Sequence, residues 1–317
     1  INVPIGIFIV IAGHYVLGAV EGQRVPLDIW GAILATLGST ALVLGLTSAG
    51  KGASNPVFIV AMLVGIASLG AFFITQKHTE NGVLPLSLFT RRDRVFTFIA
   101  IFLLGAIMTT VAVFVALYVQ TILKYTTLRA GLAFIPFAFA LALGAATASK
   151  ISMKWAPRWI ILAGCIFMVI GFGWGTAISE ESTFWADIFP PTLIIGYGVG
   201  LVSIALTLSA VAGVKPIDVG PLTAISLVAQ TLGGPIGLAF AGALAQSYTR
   251  HHGGADIPVT EMNSVQLHAL GEGYLLTLFV CLGLAVVMGI LSALFIRFTV
   301  PDVVEGQKAN EAANDLP

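Results

Sequence analysis

Charge is the scarcest property of this sequence. Asp, Glu, Lys and Arg together make up 9% of its 317 residues, and the net charge is zero. A soluble globular domain carries about 25%, so this chain cannot clothe a water-facing surface. A balance of zero also gives no electrostatic hold on a polyphosphate backbone, which excludes nucleic acid as a partner. Cysteine is nearly absent: Cys165 and Cys281 both lie inside apolar runs, so a disulfide framework is excluded. No His, Asp, Glu and Cys set converges within an apolar run, which leaves nothing to build an enzyme's active site from. The loop histidines His251, His252 and His268, with Asp256 and Glu261 nearby, show no metal-ligand spacing. No resident cofactor is expected. There is no Walker-type phosphate loop, and Gly198 and Gly200 sit in an apolar run with no preceding strand, so they do not form a nucleotide loop. The chain begins at Ile1 without a basic leader or cleavage pattern, and residue 1 reads as a truncation point.

What the sequence has in abundance is apolar length. Hydrophobic residues make up 57% and the mean hydropathy is +0.98. A helix needs about 20 apolar residues to cross a bilayer. Nine such runs are predicted, at 1–19, 28–47, 57–75, 95–118, 130–148, 159–178, 189–213, 221–246 and 273–296. Continuous runs of this length satisfy their backbone hydrogen bonds in lipid only as helices, since barrel strands are about 10 residues long and alternate in character. The fold class is therefore an all-α polytopic membrane protein.

The basic residues between the runs fall mainly on alternate connections. Arg24, Lys77, Arg91, Arg92, Arg94, Lys150, Lys154, Arg158, Lys215, Arg297 and Lys308 share one side, and Lys51, Lys124, Arg129 and Arg250 the other, 11 of the 15 against 4. The positive-inside rule then predicts a cytoplasmic C-terminus and residue 1 outside, and the plasma membrane is the expected location. Glu180, Glu181 and Asp187 make the 178–188 connection acidic, as an external loop permits. Arg91, Arg92 and Arg94 read as a cytoplasmic anchor, and the bilayer is the first partner. Trp30, Trp155, Trp159 and Trp185 fall near span ends, as an interfacial belt places them, with Trp174 deeper. The 247–272 connection reads as a long polar loop, and the polar tail 300–317 as disordered.

Three runs carry a small or polar stripe at helical spacing. These are Gly105, Thr109, Ala112, Ala116 and Gln120; Gly196, Gly200, Ser203, Thr207 and Ala210; and Thr223, Ser226, Gln230, Gly233 and Gly237. Thr109, Gln120, Ser203, Thr207, Thr223, Ser226 and Gln230 are the candidate substrate-pathway residues, because an amide facing lipid wastes its hydrogen bonds. Gly196, Gly200, Gly233 and Gly237 fit close helix packing. Pro136 and Pro235, both inside runs, fit either fixed kinks or hinges. In none of the nine runs does an Asp or Glu stand near the middle; Asp28 and Asp187 sit at run ends. An ionisable group at mid-membrane costs about 2.5–3.5 kcal/mol on insertion scales and is kept for a purpose, so this chain shows no proton-carrying site.

Five stretches in order, "INVPIG" at the start, "LPLSLFTRRDRVF" (84–96), "LYVQTILKYTTLRAGLAFIP" (117–136), "IIGYGVGL" (194–201) and "AQTLGGPIGLAFAG" (229–242), resemble the 14-helix drug:proton antiporters of the major facilitator superfamily, the EmrB/QacA type. The resemblance implies helices six to fourteen of such a protein, nine of an expected fourteen. It implies that 1–19 is the last helix of the N-terminal half, 20–83 two extra linker helices, 84–299 the C-terminal six-helix half and 300–317 a cytoplasmic tail. The missing N-terminal half would be a partner of this part and would carry the protonatable residues. The second-half loop "SKISMKWAPRW" departs from the family's Gly-Arg-rich pattern, and no gating role is carried over to Lys154 or Arg158. The resemblance further implies a secondary transporter that exports small lipophilic or cationic compounds by alternating access, driven by a proton gradient. The alternatives are a carrier of a specific metabolite, such as a siderophore, an amino acid or a biosynthetic product, or a truncated fragment that does not transport. Runs 159–178 and 273–296 would end two halves of a divergent inverted repeat (95–178 and 189–296), which the sequence itself does not display.

Overall fold

The computed structural model describes residues 6–9, 11–13, 28–48, 55–78, 91–176, 184–254 and 261–314. The helices are α1 (Ile29–Ser48), α2 (Pro56–His78), α3 (Arg92–Thr121), α4 (Thr127–Ala133), α5 (Ile135–Ile151), α6 (Pro157–Gly175), α7 (Phe189–Ala210), α8 (Pro216–His251), α9 (Ser264–Phe295) and α10 (Val300–Asn314), with a short π-helical turn at Phe184–Ile188 before α7. Among the described residues seven helical spans are long and apolar enough to cross a membrane, α4 and α5 counting as one, and Ile29–Gly45 adds a shorter apolar helix. Most of run 1–19, with His14 and Arg24, lies outside the described residues, as do Lys51, Glu180, Glu181 and Asp256.

Helix α1 packs on α2 as a hairpin. Asp28 accepts a hydrogen bond from Gly31 N at 2.8 Å, capping α1, and its other oxygen accepts from buried Gln76 Nε2 on α2. The remaining spans form a six-helix bundle. Helix α7 packs on α5 and α6, α3 packs on α8 and α9, and the two trios join through α6–α9 and α3–α7. Exchanging α3 with α7, α5 with α8 and α6 with α9 maps these contacts onto themselves. An inverted repeat would give this exchange, although α8 also packs on α9 while α5 and α6 make no comparable contact. Helices α3 and α7 are the most buried of the six, and α5 and α8 the least.

Small residues make this packing possible. A Cβ on Gly105 would strike the carbonyl oxygen of Gln230, one on Gly233 that of Phe102, and one on Gly237 would reach Ala106 Cβ at 2.5 Å. Farther along both helices a Cβ on Gly242 would meet the Phe114 ring at 3.6 Å, so α3 and α8 run parallel. The symmetry-related seam joins α7 to α5, where a Cβ on Gly200 would strike Leu141 O, one on Gly144 would strike Tyr197 O, and one on Gly196 would meet Phe137 O at 2.6 Å. Without side chains in the way, backbones approach closely enough for dispersion to hold them.

Four expectations change. The tail is not disordered, because residues 300–314 form α10. Thr299 N and Oγ1 both donate to Asp302 Oδ2, at 2.8 and 2.7 Å, fixing its first turn. Gly213 N donates to Asp302 O at 2.9 Å, Gly306 lies against Val211 O, and Val303 is buried. The polar loop is also shorter than 247–272. Helix α8 continues to His251, and α9 starts at Ser264 with Asn263 and Gln266 forming a reciprocal capping box. Thirty-six residues make α8 about 54 Å long, well beyond a hydrocarbon core of about 30 Å. Pro136 is not inside a helix but in the first turn of α5, after a break at Phe134, where a missing N–H costs nothing. Trp174 is the penultimate residue of α6, so it too stands near a helix end.

The Asp302 carboxyl is held below its usual pKa, first by the backbone N–H of Thr299 and then by the Thr299 hydroxyl; burial opposes them, and the charge of Arg91 adds a smaller lowering effect. A depressed carboxylate contributes stability above its unfolded pKa and loses it as pH falls through the lowered folded value. Hydrogen exchange across 300–309 is therefore expected to stay slow at neutral pH and to accelerate below the ordinary carboxylate range, and Asp302→Ala should accelerate it at neutral pH with the difference from wild type shrinking as the carboxyl is protonated. A second prediction concerns the seam. Gly233→Ala should cost about 1–3 kcal/mol, read as a lower Tm, while Gly283→Ala, whose added Cβ meets nothing within 4 Å, should leave Tm unchanged.

Candidate functional site

The sequence-selected polar residues fall on α3, α7 and α8. Helix α8 presents Thr223, Ala224, Leu227, Val228 and Thr231 as exposed positions, with Ser226 and Gln230 half-buried beside them. Helix α7 presents Thr207 exposed and Ser203 half-buried, towards the end where α3 begins. Gln120 is exposed in the last turn of α3, at the other end of the bundle, apart from the rest. Thr109 is half-buried within the α3–α8 seam, where a Cβ on Gly234 would meet its Oγ1 at 2.6 Å. The structure thus clusters Thr223, Ser226 and Gln230 on one helix, places Thr109 across the seam from that helix, and leaves Ser203 and Thr207 on α7 and Gln120 separate.

The hydroxyl protons on this face are already used. Thr207 Oγ1 donates to Ser203 O at 2.8 Å, Thr223 Oγ1 to Val219 O at 2.9 Å, Ser226 Oγ to Leu222 O at 2.8 Å and Thr231 Oγ1 to Leu227 O at 2.8 Å. Each closes back on its own helix, as hydroxyls in apolar surroundings do. What they turn outward is oxygen lone pairs. Gln230 differs: its Nε2 lies 4.0 Å from Met108 Sδ, a weak acceptor, so the amide keeps capacity for a stronger partner. Gly233 and Gly237 are buried against α3, and Gly196 and Gly200 against α5; Pro235, half-buried, sits in an α8 that runs on without ending.

The anchor residues divide. Arg91 and Arg92 are exposed, whereas Arg94 is 3% exposed and its Nη2 donates to Ala212 O at 3.1 Å. Arg91 stands 3.5 Å from Asp93 and 5.0 Å from the centroid of the Phe298 ring. These contacts tie the start of α3 to the α7–α8 turn and to the segment before α10. Gly213 in that turn has φ of +61°, a backbone region that suits glycine. At the opposite end Glu272 of α9 accepts from Tyr248 O–H of α8 at 2.9 Å and lies 3.4 Å from His268 Nε2. Sequence reading had passed over this cluster; the i, i+4 spacing of His268 and Glu272 was its one local signal. Among the described residues no group of three or more His, Cys, Asp or Glu is placed to hold a metal ion.

No family model matches this chain. It is 38% identical over 314 residues to the uncharacterised MFS-type transporter EfpA of Mycobacterium tuberculosis H37Rv, covering 98% of this chain and 59% of that protein. It is 31% identical over 245 residues to the cephamycin export protein CmcT of Amycolatopsis lactamdurans, covering 75% of this chain and 50% of that one. The chain is a relative of the MFS-type transporters. The fold agrees: a bacterial homologue of the human lysosomal transporter Spinster, in an inward-facing and occupied conformation, superposes with a TM-score of 0.55 at 16% identity, over 86% of this chain and 67% of that one. With these relatives, the apolar helices mark an integral membrane protein. The chain spans about 59% of the length of EfpA.

Because the hydroxyls of Thr207 and Thr223 bond within their own helices at exposed positions, Thr207→Val and Thr223→Val should change stability by no more than about 0.5 kcal/mol, read as an unchanged Tm in detergent. Any loss of transport in these variants then reports on the face itself.

Proposed function

We propose that this chain is the greater part of a secondary transporter that exports amphipathic, lipophilic or cationic compounds by alternating access in exchange for protons. The observation that carries the reading is the pair of packed three-helix groups, α3–α8–α9 and α7–α5–α6, with a hydroxyl-lined and otherwise apolar face exposed on α8. In inverted-repeat carriers the substrate site lies near the bilayer midplane, between units that rock about it. On this reading the C-terminus is cytoplasmic, the membrane is the plasma membrane, the polypeptide extends to a fourteen-helix protein of the EmrB/QacA type, and the acidic proton carriers lie in the remainder. Residues Ser203, Thr207, Thr223, Ser226 and Gln230 form this chain's share of the pathway. The relative named for cephamycin export favours a second reading on the same scaffold, a carrier for one biosynthetic product.

The test uses the full-length protein in cells, with a fluorescent lipophilic cation as the substrate. Expression should lower its steady-state accumulation, and an uncoupler should abolish the difference. Gln230→Leu should leave membrane abundance unchanged and weaken export about tenfold if its open amide contacts substrate. Unchanged accumulation across a panel of lipophilic cations, together with export of a single product, would move the assignment to the second reading.

A further inference from the structure

Helices α6 and α9 cross the bundle antiparallel, and an apolar groove runs between them on the outer surface. Its walls include Leu162, Ile166 and Val169 of α6; its floor is low because Ala285, Gly289 and Ala293 of α9 have almost no side chains. It encloses about 860 Å³, counted out to its open side. From Ala285 to Leu294 it extends about 14 Å at 1.5 Å per residue, roughly half of a 30 Å hydrocarbon core. That is the depth of one leaflet.

The groove's end is basic. On α6 its residues recur at 162, 165, 166 and 169, and Arg158 continues that stripe one turn earlier. A Cβ on Gly289 would lie 3.2 Å from Cys165 Cβ, and one on Gly173 would lie 3.9 Å from Leu282 Cδ1. Extending this antiparallel register by about two turns brings Arg158 level with Arg297, which follows the end of α9 and is exposed. Arg158 Nε is buried and makes no hydrogen bond, and the guanidinium lies 5.1 Å from the ring centroid of Trp159. A buried N–H without an acceptor calls for one. Two guanidiniums at the mouth of a leaflet-deep apolar groove match a phosphodiester on an acyl chain.

We propose that the α6–α9 groove is a binding site for one anionic glycerophospholipid of the leaflet at the basic end of the bundle, its phosphate on Arg158 and Arg297 and one acyl chain along Ala285–Leu294. The charged mouth selects the headgroup and the glycine- and alanine-lined floor admits the chain.

The experiment is native mass spectrometry of the full-length protein with phosphatidylglycerol or phosphatidylcholine of identical acyl chains. Phosphatidylglycerol should be retained preferentially. The Arg158→Gln, Arg297→Gln double variant should retain it about tenfold more weakly. Ala293→Phe, a substitution at an exposed groove position, should also weaken retention, by filling the acyl track without touching a charge. Lys124→Gln, at the opposite end, should change nothing. Equal retention of the two lipids, undiminished retention in the double variant, or undiminished retention in Ala293→Phe would each overturn the proposal. Should the double variant fold poorly, the Ala293→Phe comparison still decides it.

Discussion

Everything in this bundle depends on how closely two backbones can approach. Hydrocarbon surrounds the spans, so burying a leucine between helices gains little over leaving it in lipid. What holds the helices is contact between surfaces that fit, and the fit is closest where a side chain is missing. Gly105 against the Gln230 carbonyl, Gly233 against that of Phe102, and Gly200 against that of Leu141 are approaches no larger residue allows. These seams fix α8 on α3 and α5 on α7. The relationship between the two trios is, in physical terms, a relationship between two glycine seams.

The seams also decide which surfaces are left over. With their inner sides committed, α3 and α7 become the most buried members, and α8 turns its remaining side outward with Thr223, Leu227 and Thr231. A hydroxyl on an apolar face must spend its proton, and the nearest acceptor is the carbonyl four residues back. The result is a surface with no charge, few free donors and many accessible lone pairs. On the proposed function, such a surface recognises shape and apolar area first and tolerates a positive charge, whereas an anion finds few donors there.

The spans were legible because hydropathy is a local property: among the described residues seven of the nine predicted runs are helices long and apolar enough to cross a membrane, and run 28–47 is a shorter apolar helix. The tail was not, because nothing in "VPDVVEGQKANEAAN" is apolar enough to announce a packed helix. It folds through distant partners, the N–H of Gly213 and the carbonyl of Val211, which its own Gly306 lets approach. The loop before α9 was overestimated for a different reason. The Asn263 and Gln266 capping box stood in the sequence, but the polar residues around it masked a helix that projects past the apolar core. Pro136 illustrates a third limit, since a proline marks a break without saying which side of it the helix lies. At the site, the stripes were readable from spacing alone. Their distribution was not, because whether Thr109 faces a cavity or a seam depends on what Gly234 of another helix permits.

The placement of charge carries the argument one step further. Arg94 is buried near the start of α3, Asp218 lies near the start of α8, and Arg91 and Asp302 approach the same turn. At the far end Glu272 stands eight residues into α9, about 12 Å from its first residue, in a helix about 48 Å long that overreaches the hydrocarbon core. Among the described residues the Asp, Glu, Lys, Arg and His side chains therefore gather at the two ends of the bundle, and the middle of each span carries none of them. A carrier that exchanges protons needs at least one site whose charge changes within the membrane, where the change alters the balance between its two conformations. Under the proposed function this part supplies the walls, the seams and the rigid basic end, and the group that changes charge must be brought by the remainder of the polypeptide. Coupling would then be a property of the contact between the parts, since a neutral surface senses a distant protonation only through how the two surfaces fit.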